Sequence, residues 1–192
     1  MTREEAFNLL TSLIRNPSLI KHHLACEEVM KALANYFKEK RNVTGIDENK
    51  WAIAGLLHDA DYDITRFAPE KHTIFFAEKY GKMLDPDVLH AIKAHNVHNT
   101  KIEPKSQMDW SLYCCDELTG LIIACAMVYP RGLAYLSVDF VMEKFDERNF
   151  AKGADRKQIR MCEEKLGIPL KEFIEIALSA MQNISLQLGF FV

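Results

Sequence analysis

The chain reads as an all-α protein, a single-domain helical bundle of about eight to ten helices, and three observations predict it. Apolar residues recur at intervals of three and four along nearly the whole length. Asn-Pro and Asp-Pro starts, with Gly and Pro stops, divide that pattern into segments of helical length. No stretch alternates apolar and polar residues for more than a few positions, and no repeat or low-complexity tract interrupts the series. With 192 residues, 48% of them hydrophobic and 27% charged, the chain fits one domain, 1–192, with a substantial core.

The elements follow in order. Phe7, Leu10 and Ile14 mark a first amphipathic helix. Asn16 caps a second, with Pro17 at its first position, and Leu19, Ala25, Val29, Leu33 and Phe37 give it an apolar stripe. Asn42 to Gly45 reads as a turn, and Asp47 as the cap of a third helix, ENKWAIAGLLHD. Tyr62 to Pro69 reads as loop, then a fourth helix from near Glu70 to near Gly81. Asp85-Pro86 opens a short fifth helix, and 96–105 reads as polar and irregular. A long apolar helix runs from about Met108 to Met127 and stops at Pro130. Ser137 starts SVDFVMEKF, a basic linker leads to KQIRMCEEKL, and Gly167 and Pro169 punctuate the step to a last helix over 170–188.

A net charge of −3 gives no general attraction to extended nucleic acid or to an anionic membrane. The N-terminus lacks the order of a signal peptide, and the most apolar run, Leu118 to Tyr129, is too short to span a bilayer. The expected setting is cytoplasmic, with no membrane partner. Five cysteines without a CxxC pair read as reduced, buried small hydrophobes. The apolar end LGFFV serves either the core or a second subunit, and the reading leans to a homodimer.

The chemistry concentrates at His58-Asp59, side by side after an apolar, helix-like stretch. Neighbours on a helix differ by about 100°, so the two cannot share a stripe, but they can flank one ion lodged against the helix. A buried Asp needs a cation or strong donors. His22 or His23 upstream, and His72, His90, His95, His98 and Asp116 downstream, are the available partners. Asp116 lies in a strongly apolar helix, with Thr119 one turn on as a group that could orient it and Glu117 expected to face outward. His72 and His95 sit near helix ends, where a surface or capping role competes, and His90 and His98 are weaker candidates. Asp61 and Asp63 either hold a metal-bound water or histidine ring, or simply end the helix.

The order His, His-Asp, Asp, carried by NPSLIKHHLACEEVMKALA, GLLHDADYD and CCDELTGLI, resembles the HD superfamily of metal-dependent phosphohydrolases. The resemblance covers roughly residues 16–125 and implies a bundle of the HD-domain type, with the helices of 130–192 packed on it. It implies His22, His58, Asp59 and Asp116 as metal ligands, with His23 as the alternative to His22. EKHTIFFAEKYG and AIKAHN resemble the segments that carry extra histidines in two-metal members, which adds His72 and His95 and makes Asp59 the bridge. The chain also resembles small HDIG-type hydrolases without a settled activity. HDADYD departs from that signature, and no GYP tripeptide is present.

The resemblance implies one or two divalent transition metal ions (Fe, Mn, Ni, Co or Zn) activating water for attack on a nucleotide or other small phosphoester. Asp59 and Asp61 are the expected catalytic carboxylates. Lys152 and Arg156, beside the flexible Gly153, are the expected phosphate-binding side chains. Two other readings stand beside this one: a regulatory module that binds metal or nucleotide without turnover, and a dinuclear-iron oxygenase.

Overall fold

A computed structural model describes residues 1–190. Among them no strand occurs, and nine helices of six or more residues and two single turns make up the bundle. The elements are α1 (Arg3–Leu13), α2 (Pro17–Lys40), α3 (Glu48–Leu57), α4 (Tyr62–Thr65), α5 (Ile74–Tyr80), α6 (Pro86–His95), α7 (Val97–Thr100), α8 (Gln107–Val128), α9 (Val138–Asp146), α10 (Arg156–Met161) and α11 (Leu170–Asn183).

Several boundaries follow directly from cap chemistry. Asn16, Asp47, Asp85, Ser106 and Ser137 each accept a backbone N–H of the helix they precede. Thr2 and Glu5 form a reciprocal capping box at α1. An Arg3–Glu27 pair, bidentate at 2.9 Å for both bonds, fastens α1 to α2, and Lys31 adds a third contact to the buried carboxylate at 3.3 Å.

Four expected boundaries differ. The segment 62–69 is not all loop but holds the single turn α4, and 96–105 holds α7, which Lys101 closes in a left-handed conformation. The helix expected from Glu70 begins only at Ile74, after a 3₁₀ turn and Thr73 at φ 70°. The carboxylate of Asp61 takes the N–H groups of Thr73 and Phe76, so a residue twelve positions upstream supplies the start that local side chains do not. At the far end, α10 relaxes into a wide π-type turn over Cys162–Leu166, Gly167 reverses the chain at φ 64°, and α11 stops at Asn183 rather than 188.

The core runs through the whole described chain, from Ala6 and Leu10 to Met181 and Leu188. All five cysteines are free and buried in it. Its central helix, α8, packs against α2, α6, α9, α10 and α11. At 22 residues α8 is long and apolar enough to cross a membrane by length and composition, a point the shorter run 118–129 does not show; more than half of its apolar window is buried inside the bundle. Of the C-terminal LGFFV, Leu188 is buried and Phe190 packs beside Gly132, while 191–192 lie outside the described residues.

One close approach positions everything that follows. A Cβ on Gly55 would lie 2.6 Å from the carbonyl oxygen of Cys26 and 2.9 Å from the nitrogen of Glu27. Only glycine lets the α3 backbone press on the α2 backbone here. That contact lies one turn past His22 on α2 and one turn before His58 at the end of α3.

Candidate metal centre

Six of the histidine and aspartate side chains singled out in the sequence meet in the structure. His22 comes from α2, His58 and Asp59 from the end of α3, His72 from the link before α5, His95 from the last residue of α6, and Asp116 from the middle of α8. They form two clusters of ligand atoms, His22–His58–Asp116 with Cys26 beside them, and Asp59–His72–His95.

In the first cluster, Nε2 of His22 lies 3.1 Å from Nε2 of His58 and 3.0 Å from Oδ1 of Asp116, and His58 Nε2 lies 3.2 Å from the same oxygen. An octahedron with bonds of about 2.1 Å has edges of about 3.0 Å, whereas a tetrahedron of that radius has edges of about 3.4 Å. The three atoms therefore form a ready octahedral face. Asp59 turns Oδ2 toward this cluster, 3.7 Å from His58, and Oδ1 toward the other, 2.9 Å from His72 Nε2 and 3.1 Å from His95 Nε2. One carboxylate thus turns an oxygen to each cluster.

The far side of each ring fixes its proton. His58 Nδ1–H donates to the Gly55 carbonyl at 2.8 Å, and His95 Nδ1–H to the Ile92 carbonyl. His72 Nδ1–H donates to Asp61 at 2.8 Å. His22 Nδ1–H reaches the Thr119 hydroxyl at 3.2 Å, and that hydroxyl donates onward to the Asp116 carbonyl at 2.8 Å. Each ring thus turns Nε2 inward, where lone pairs and carboxylate oxygens converge on one another. Acceptors held about 3 Å apart repel unless a cation or protons lie between them. The residues fit a divalent metal.

In the metal-free protein, protons do that work. Burial alone would lower the His72 pKa, but its bonds to Asp59 and Asp61 override burial and push it up to about 10. Burial likewise opposes charge on Asp59, yet His58, with His72 and His95, holds this carboxyl well below the usual range.

The remaining candidates separate. His23 is buried with neither ring nitrogen bonded and packs against the His58 ring at 5.2 Å, so His22 and not His23 faces the cluster. Asp61 is fully buried and spends its oxygens on His72, Thr73 and Phe76, so it holds a histidine ring and a helix start. Asp63 accepts the N–H groups of Arg15 and Asn16 and joins the α1–α2 link. Thr119 orients His22, not the Asp116 carboxylate. His90 pairs with Asp109 at 2.9 Å, away from the clusters.

The clusters form the floor of an open cleft of about 570 Å³. Its walls include Tyr62, Asn96, His98, Tyr113, Glu117, Ala151, Gly153 and Gln158. Glu117 faces this cleft rather than outward, and burial raises its pKa. Tyr62 stands edge-on to the His72 ring at 5.6 Å. The sequence offered little to find Tyr113 or Gln158, which lie outside the quoted motifs, and Tyr62 stands within HDADYD with no chemical signal of its own; the chain gathers the three from α4, α8 and α10. Lys152 is exposed between two lining residues but does not line the cleft itself. Arg156 is a correction: its guanidinium is committed to backbone carbonyls of the 144–154 segment and is not free to hold a phosphate.

No curated protein and no solved structure matches the chain. The family model of the HD domain matches residues 19–123, more than half of the sequence. The span takes in His22, His58, Asp59, His72, His95 and Asp116, all the residues that build the two clusters. The chain belongs to the HD-domain family.

Proposed function

We propose that the protein is a metal-dependent phosphohydrolase that uses metal-activated water on a nucleotide or another small phosphoester. One observation carries the reading: two histidine–carboxylate clusters meet at Asp59 at the floor of an open cleft, with Nε2 of His22, His58, His72 and His95 turned inward. Bound divalent ions would supply a hydroxide near neutral pH and neutralise phosphoryl oxygen charge, the two requirements of phosphoester cleavage. His22, His58 and Asp116 would hold one ion, His72 and His95 the other, and Asp59 both.

The chain's own contribution is positional. Thr119, Gly55, Asp61 and Ile92 lock the four rings, so no ligand must reorganise as charge develops. Tyr62 and Tyr113 give the cleft aromatic faces, and Glu117 lies beside Asp116 as a carboxylate whose raised pKa suits proton exchange with a leaving group. The mixed imidazole–carboxylate set suits Fe, Mn, Co, Ni or Zn, and the octahedral spacing of the first cluster favours six-coordinate ions among them. Buried free cysteines suit a cytoplasmic setting.

Metal analysis of protein purified without chelator, followed by a phosphate-release screen, tests the reading. We expect about two ions per chain in the wild type, none in Asp59→Ala, and phosphate release that disappears with the metal. Stable metal binding with no phosphate released from any ester would overturn the hydrolase and leave a binding module. Oxygen consumption with reduced iron would instead identify an oxygenase.

A further inference from the structure

A phosphate group needs a positive complement on the side that the metals do not touch. Among the described residues no Lys or Arg side chain lines the cleft. The complement must come from elsewhere, and the wall built by Ala151, Gly153 and Ala154 provides it.

Arg156 holds that wall from behind. Its Nη1 donates to the carbonyls of Ala151 at 2.6 Å and Ala154 at 2.7 Å. Its Nη2 donates to Phe150 at 2.6 Å and to Lys144 at 3.4 Å, and Nε to Phe145 at 3.3 Å. A planar trans peptide whose carbonyl is held on one side presents its N–H on the other. The Ala154–Asp155 peptide gives the direction: its carbonyl binds Arg156, and its N–H lies 2.9 Å from the Glu117 carboxylate, which lines the cleft. The Phe150–Ala151 and Ala151–Lys152 peptides have their carbonyls on the same guanidinium. The N–H groups of Ala151 and Lys152 have no hydrogen-bond partner among the described residues. Ala151 sits at φ 43°, the left-handed conformation that turns successive amides to one side in anion-binding turns. A non-glycine residue held there carries strain, and Arg156 supplies the bonds that hold it.

We infer that the backbone N–H groups of Ala151 and Lys152 form an anion-receiving wall facing the metal ligands, with Arg156 as the positioning residue that aims them. The ligand is a phosphoryl group, gripped through oxygens that the metals leave free. The inference rests on the phosphohydrolase reading for its substrate but not for its ligand chemistry. Arg156 acts through the loop carbonyls, and the Lys152 side chain is dispensable while its backbone N–H is not.

The direct test is an NMR titration of zinc-loaded, ¹⁵N-labelled protein with inorganic phosphate. The amide resonances of Ala151 and Lys152 should shift with a common saturation curve; shifts confined to residues around the metal ligands would overturn the wall. In parallel, hydrolysis of p-nitrophenyl phosphate is measured for two variants. Arg156→Lys should raise KM about tenfold with kcat and metal content nearly unchanged, because one ammonium cannot hold five carbonyls. Lys157→Ala, an exposed basic neighbour outside the wall, should stay within about twofold of wild type. The reverse order, a large loss in Lys157→Ala and none in Arg156→Lys, would assign the phosphate to a lysine side chain and sink the proposal. Should Arg156→Lys fail to fold, the titration decides alone. It also decides if no ester is cleaved, so the failure of the hydrolase reading and of this wall are distinguishable.

Discussion

The two ligand clusters meet at Asp59 but are built on different principles. His22, His58 and Asp116 ride on α2, α3 and α8, which pack against one another through the centre of the core. Their spacing is set by helix packing, and by the bare backbone at Gly55 in particular. His72 rides on an irregular link between a 3₁₀ turn and α5, where Thr73 takes a positive φ. Its place is set by one buried carboxylate, Asp61, which grips the ring and the start of the next helix together. The first cluster is a property of the core, and the second is a property of one side chain. They should therefore fail in different ways.

The largest effect is expected at Gly55. A methyl group there meets backbone rather than a yielding side chain, so Gly55→Ala should cost about 3 kcal/mol or more, read as a drop in Tm, and should lose the first ion even where the fold survives. Retention of both ions at an unchanged Tm would break the claim that packing sets this cluster. Asp61→Asn should leave the first ion in place and weaken the second by about 10- to 100-fold in a metal titration. Equal weakening of both would mean that the clusters are not separable.

Proton competition sharpens the contrast. The metal-free His72, facing Asp59, Asp61, His95 and Tyr62, has its pKa raised to about 10. Its contribution to metal-free stability is complete below the unfolded value near 6.5 and disappears as pH rises through about 10. An ion at the second cluster must displace that proton. Its affinity should rise about tenfold per pH unit between 6 and 8, with proton release visible by calorimetry. The smallest effect is expected at Thr119: Thr119→Val frees the His22 ring without moving a helix, and the first ion should weaken by only about a factor of ten.

The same division explains what the sequence made legible. The bundle could be read because Asn16-Pro17, Asp47, Asp85-Pro86, Ser106 and Ser137 announce helix starts through residues that lie next to them. The α5 start could not, because its cap comes from Asp61 across the intervening turn. His58-Asp59 and Asp116 stood out as polar groups in apolar helices, where burial without a partner is costly. Nothing local separates His22 from His23, since which ring faces inward depends on how α2 lies against α3. Arg156 misled for the opposite reason: a basic residue beside a glycine looks like a free cation until its five carbonyl partners are known.

The contact at Gly55 makes the protein its own caliper. Since α2 and α3 touch backbone to backbone, the gap between His22 and His58 has no slack to absorb a change elsewhere in the pair of helices. A substitution milder than Gly55→Ala that lifts one helix from the other by a fraction of an ångström should change which ions bind while the melting curve hardly moves.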